Sequence, residues 1–175
     1  MSRRQRLSAD DWLNAGLQAL AASGPEALKA EPLARALDTT KGSFYWHFED
    51  VPRYRQALLQ FWRDLTGKMP AAPAEKAEAV ARLHAVMHDG FGGDMATESA
   101  IRSWATVDDA VAEALAELDR TRLAHLETLL RKLGITNPDI ACALYASKVG
   151  MATLPGDVAD PDALTTLVDI VLALR

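Results

Sequence analysis

With 175 residues, 49% of them apolar and 25% charged, the chain has the makeup of a folded protein of one or two domains, which excludes pervasive disorder. Its net charge of −5 is unevenly spread: residues 1–68 carry ten Lys/Arg against eight Asp/Glu, and residues 69–175 carry nine against sixteen, so only the first part suits a polyanion. A single cysteine, Cys142, excludes an intramolecular disulfide and implies a reducing, cytoplasmic setting, while the lack of any long apolar run predicts neither a membrane span nor a secretory signal.

Strand patterns are absent and alanine and leucine recur at helical spacing, so an all-α protein is expected. Ser8 with Asp11 forms a capping box for a first helix, Leu7 can staple onto Trp12, and Leu13, Leu17 and Leu20 make its apolar stripe. Gly24 and Pro25 end it. A short helix over Ala30–Leu37 follows, with Pro32 confined to its first turn. Asp38-Thr39-Thr40 is read as a turn, with Thr40 as N-cap of a third helix over Lys41–Phe48. Glu49-Asp50-Val51-Pro52 then opens a fourth, to about Lys68.

The Pro70–Ala74 stretch marks a break. Beyond it, helices are predicted at 75–89, around 97–105, and from Asp108 to Leu133, where Val111, Leu115, Leu118, Leu126, Leu129 and Leu133 share a stripe and Gly134 closes the helix. Asn137-Pro138 and Asp160-Pro161 start two more, at about 138–154 and 161–174.

Two short helices joined by a tight turn and flanked by others have the layout of a helix-turn-helix reader of DNA. Its second helix is unusual in composition. Four of the chain's eleven aromatic residues fall within the five positions from Phe44 to Phe48. They cannot all face one core. Phe44 and Phe48, four apart, are assigned inward, which turns Tyr45, Trp46 and His47 outward, beside Lys41 and Ser43, toward phosphates and base edges. The competing reading is an aromatic cluster that serves only a core.

Residues 8–66 resemble the DNA-binding domain of the tetracycline-repressor (TetR) family of bacterial transcriptional regulators. The resemblance rests on Leu33-Ala34-Arg35-Ala36-Leu37, on Thr40 through Phe48, and on their spacing from the Ser8–Gly24 helix and the Leu58–Trp62 segment. Asp38 and Thr39 depart from the usual glycine and aliphatic residue, Asp being tolerant of a left-handed backbone. Glu31 and Glu49 bring acidic charge close to the DNA side.

The resemblance implies a helix-turn-helix domain over 1–52, joined by a linking helix to a helical effector-binding and dimerisation domain over 53–175. Lys29, Ser43, Tyr45, His47 and Arg53 would hold the DNA backbone. Lys41, Gly42, Ser43 and Trp46 would approach base edges, with Thr40 at the helix start, and an Arg3-Arg4-Arg6 arm would enter the minor groove.

The expected partners are an operator duplex, a second copy of the chain and a small-molecule effector. Dimerisation is assigned to the apolar faces of the last two helices, marked by Ile140, Leu144, Met151 and Leu154, and by Leu164, Leu167, Val168, Val171 and Leu172. Effector-binding candidates are Trp62, His84, Met87, His88, Phe91, Trp104, Leu123 and Tyr145, a set that suits an apolar or aromatic compound.

The rival reading is a helical metal-binding sensor or enzyme using His84 and His88, four apart on one helix, with His125 or an aspartate as third ligand. No HExxH or CxxC framework supports it, nor does any catalytic motif such as GxSxG or GxGxxG. Cys142 is read as packing. No enzyme activity, metal or cofactor is expected.

Overall fold

Helix α1 (Ala9–Ser23) starts where two side chains exchange caps. In this computed structural model, which describes residues 7–155 and 158–173, the Asp11 amide donates to Ser8 Oγ at 3.2 Å and the Ser8 amide donates to Asp11 Oδ2 at 2.7 Å. Gly24, at φ 74°, ends α1, and Pro25–Ala27 form one 3-10 turn.

Helices α2 (Ala30–Ala36) and α3 (Lys41–His47) are each one residue shorter than expected, because Leu37 and Phe48 serve as their C-caps. Asp38 between them adopts φ 47°, the left-handed corner anticipated for an aspartate. Thr40 has the extended N-cap backbone, but its side chain makes no capping bond.

Helix α4 (Val51–Thr66) begins where the Arg53 amide donates to Asp50 Oδ1, and it stops two residues short of the expected Lys68. The remaining helices are α5 (Lys76–Asp89), α6 (Met95–Ala105), α7 (Asp109–Lys132), α8 (Pro138–Met151) and α9 (Pro161–Ala173). Helix α6 starts earlier than expected because Asp94 caps it through the Thr97 amide at 2.8 Å. No strand occurs among the described residues, so the chain is all-α.

The chain divides into two compact units. One takes in residues up to 65 together with Asp94–Leu115. Its core is aromatic: Trp12, Phe44 and Tyr54 are fully buried, with Phe44 meeting Trp12 edge-on at 5.4 Å and Tyr54 at 5.1 Å. Each such side chain contributes roughly 1.5–3 kcal/mol by burial, with edge-to-face geometry adding about 0.5–1.5 kcal/mol per pair.

The Tyr54 hydroxyl donates to the Trp12 carbonyl at 2.8 Å, tying α4 to α1. It passes so close to Gly16 that a Cβ there would lie 1.9 Å from the hydroxyl oxygen. Helix α6 packs along α1 and brings fully buried Ile101 into the same unit.

The other unit takes in Thr66–Gly93 and the residues from 116 onward. Its core is mainly aliphatic: Leu83 and Met87 of α5, Leu126, Leu129 and Leu133 of α7, Leu144 of α8, and Leu164 and Val168 of α9. Helix α9 packs against both α5 and α8.

Candidate nucleic-acid interface

Helix α3 sorts its aromatic residues by direction. Phe44 is fully buried and Phe48 is 8% exposed, whereas Tyr45 is 47% and Trp46 76% exposed. The inward pair faces Tyr54, so packing fixes the roll of a helix too short to be stable alone. His47 is half-buried rather than outward like its neighbours, a partial departure from expectation, and its ring lies 6.2 Å from that of Phe48.

Thr40, Lys41 and Gly42 are exposed and Ser43 is half-buried. The Lys41 ammonium lies 5.8 Å from the Tyr45 ring centre. At Gly42 an added Cβ would meet nothing nearer than Thr40 Oγ1 at 3.7 Å, so packing inside the chain does not demand a glycine here.

Two of the expected backbone-holding residues lie outside α3. Lys29, at the N-cap of α2, is exposed and its ammonium pairs with Glu26 at 2.9 Å. That contact holds the Glu26 carboxyl below its ordinary value. Arg53, in the first turn of α4, is exposed and its guanidinium donates to Gln56. Glu31 is drawn to Arg35 at 3.2 Å, along the same helix. A cleft of about 330 Å³ between α2 and α3 is lined by Glu31, Arg35, Asp38, Thr39 and Lys41, so charges of both signs border the turn. The Arg3-Arg4-Arg6 arm lies outside the described residues.

Residues 13–50 match the family model of bacterial regulatory proteins, tetR family. Over this segment the chain is similar to that family. The whole fold is shared as well. A TetR transcriptional regulator from Agrobacterium tumefaciens superposes with a TM-score of 0.65 at 18% identity, over 95% of this chain and 92% of that one. Salmonella enterica GusR superposes with a TM-score of 0.66 at 19% identity, over 97% and 98%. No curated protein matches the sequence. The matched segment holds helices α2 and α3, the pair with the helix-turn-helix layout.

The eight effector candidates do not form one group. Met87, Phe91, Leu123 and Tyr145 share the core of the second unit, where Phe91 meets Tyr145 edge-on at 5.8 Å. Trp62 and Trp104 are buried in the first unit. The Trp104 indole donates to Asp108 at 3.2 Å, and its ring borders a cavity of about 310 Å³ with Pro52, Arg55, Leu59 and Val111.

His84 is half-buried and faces Asp169 at 3.3 Å, while exposed His88 pairs with its neighbour Asp89 at 2.6 Å. Each histidine thus has a carboxylate of its own. Among the described residues no group of three or more His, Cys, Asp or Glu side chains is placed to hold a metal ion, and His125 does not join the other two. Cys142 is exposed, contrary to its reading as a packed residue, because it lies on the outer side of α8. No described helix is long and apolar enough to cross a membrane.

The sequence reading passed over Gly16, Tyr54 and Arg122, and it named His125 only as a third metal ligand. Arg122 is 3% and His125 7% exposed. Their positions were readable: 118, 122, 125 and 129 are spaced four, three and four apart, the period of the inward stripe of α7. Burial and then the Arg82 charge hold the His125 imidazole below its ordinary value. Burial, and next the bond to Asp119, push the Tyr145 phenol up to about 12.

Proposed function

We propose that this chain is a DNA-binding regulator of the tetR family, a homodimeric repressor that reads a palindromic operator through α3 and releases it when a small molecule occupies its helical body. The observation that carries the reading is the solvent-facing Trp46, 76% exposed one turn-face away from a fully buried Phe44. An exposed indole is costly to leave in water and useful against a duplex.

In this reading Lys41, Gly42, Ser43 and Trp46 approach base edges. Thr40, Tyr45 and His47, with Lys29 and Arg53, hold phosphates. Lys29 can exchange Glu26 for a phosphate at little cost, since an exposed ion pair contributes only about 0–1 kcal/mol. Lys41 on a guanine would add about 1–3 kcal/mol of discrimination.

Pairing supplies the affinity that one small reading head lacks. Of the residues expected at that contact, Leu144, Leu164 and Val168 are buried in the chain's own core, whereas Leu154, just beyond α8, and Ile170 of α9 are 44% and 52% exposed and support an isologous contact there. An effector that favours one separation of the reading heads over another by about 1–3 kcal/mol would lower operator affinity some 5–150-fold.

The test is selection of DNA fragments by the purified protein. A palindromic motif with half-sites spaced by about one helical turn is expected, and its enrichment should vanish with Trp46→Ala. A motif without symmetry, or a monomer at micromolar concentration by sedimentation, overturns the dimeric reading. Removing residues 1–6 should flatten the salt dependence of binding if the arginine arm neutralises phosphates.

A further inference from the structure

We infer that the second unit binds its effector through an acidic oxygen, received by Arg122 and His125 of α7 beside Tyr145 of α8, so that the effector class is a carboxylate on an apolar body. This rests on the ligand-responsive reading above and names the chemistry of its ligand.

Among the described residues the buried polar and charged side chains are Thr66, Thr97, Arg122 and His125. Two of the four thus sit one turn apart on the inward stripe of α7. A helical bundle gains nothing in stability from such groups unless each is bonded. His125 is not: its Nε2 is buried and has no hydrogen-bond partner.

Its neighbours are held firmly. The Arg122 guanidinium stands 5.2 Å from the centre of the Phe91 ring and bonds to the Tyr145 hydroxyl. That hydroxyl donates its proton to Asp119 Oδ1 at 2.6 Å. Side chains pinned in this way are pre-organised for a ligand.

The inventory of donors decides the ligand's polarity. A guanidinium only donates, and the tyrosine proton is committed to Asp119. In its Nε2–H tautomer a neutral imidazole donates through Nε2 as well. Burial and the nearby Arg82 charge keep it neutral. Against these donors a carboxylate offers two acceptor oxygens and a primary amide only one, while Asp119 is the acceptor already present beside Tyr145. The apolar core of the same unit, with Met87, Leu126, Leu129 and Leu144, would supply contacts for the rest of the molecule.

The experiment measures binding of benzoate, phenylacetate, 1-naphthoate and octanoate to the full-length protein by calorimetry, each against its primary amide. At least one acid should bind at least about tenfold more tightly than its amide. Arg122→Met and His125→Leu should each weaken that acid by a similar factor. His125→Leu should leave Tm unchanged or raise it, because methyl groups replace a nitrogen that has no partner.

Equal binding of acids and amides overturns the assignment, as does binding of no acid, or undiminished binding by both variants. A Tm drop in His125→Leu with unchanged acid binding makes the histidine structural and also overturns it. Operator binding followed in parallel keeps the two readings apart. If amides or amines bind and release DNA while acids do not, the effector-responsive regulator stands and the carboxylate falls.

Discussion

The two units spend their unusual side chains in opposite ways. The first packs Trp12, Phe44, Phe48 and Tyr54 into one aromatic core and turns Tyr45 and Trp46 outward. The second builds its core from leucine, alanine and valine and turns two polar side chains, Arg122 and His125, inward. A surface that must present fixed groups to a rigid duplex is served by interlocking rings, which resist rotation of a short helix. On the function proposed above, a body that responds to a small molecule would be served by internal polarity, which an apolar core could not offer a ligand.

The sharpest break in that comparison is Phe44→Ala. It should cost about 3–5 kcal/mol, measured by denaturant unfolding, and abolish operator binding with it. Gly16→Ala comes next, because its Cβ would overlap the Tyr54 hydroxyl. We expect about 1–3 kcal/mol, with part of the loss recovered in a double variant carrying Tyr54→Phe. A smaller loss in the pair than in the sum would locate the strain at the hydroxyl.

Trp46→Ala should separate function from fold. Stability should stay within about 0.5 kcal/mol of the parent, while operator affinity in a gel-shift titration falls by about tenfold or more. Lys41→Ala resolves the role of that lysine: loss on the operator alone marks a base contact, and equal loss on all duplexes marks a phosphate contact.

Ser8→Ala should cost about 1 kcal/mol through the lost cap of α1. The smallest effect is one of pH. Asp94 is held below its ordinary 3.8, first by the Thr97 hydroxyl. Its stabilising contribution is therefore complete above that value and drains away as pH falls through the lowered one. Asp94→Asn should flatten the acid limb of a stability profile below about pH 4.

Much of the fold was legible because its signals are local. The Ser8/Asp11 box, Gly24 and the left-handed Asp38 each depend on a few adjacent residues, and all three appear as expected. The direction of Phe44 against Trp46 followed from helical periodicity alone.

What escaped was long-range. Tyr54 bonding to the Trp12 carbonyl spans 42 positions, and no spacing rule reports it. That Asp94–Leu115 groups with the N-terminal residues is likewise a matter of tertiary packing. The effector candidates were chosen for size, which does not tell two cores apart, so the tryptophans and Tyr145 fell into one group on paper and two in space. Arg122 was hidden by its charge, although its phase in α7 placed it inward, and His125 was noticed only as a metal ligand, a role its position away from His84 and His88 does not support.

The left-handed corner at Asp38 couples bend and charge in one side chain. A glycine would hold the same bend more easily while deleting one anion from the rim that borders Lys41. The grip on any duplex would tighten without new discrimination among sequences. On the proposed function the aspartate would hold back binding to duplexes of any sequence.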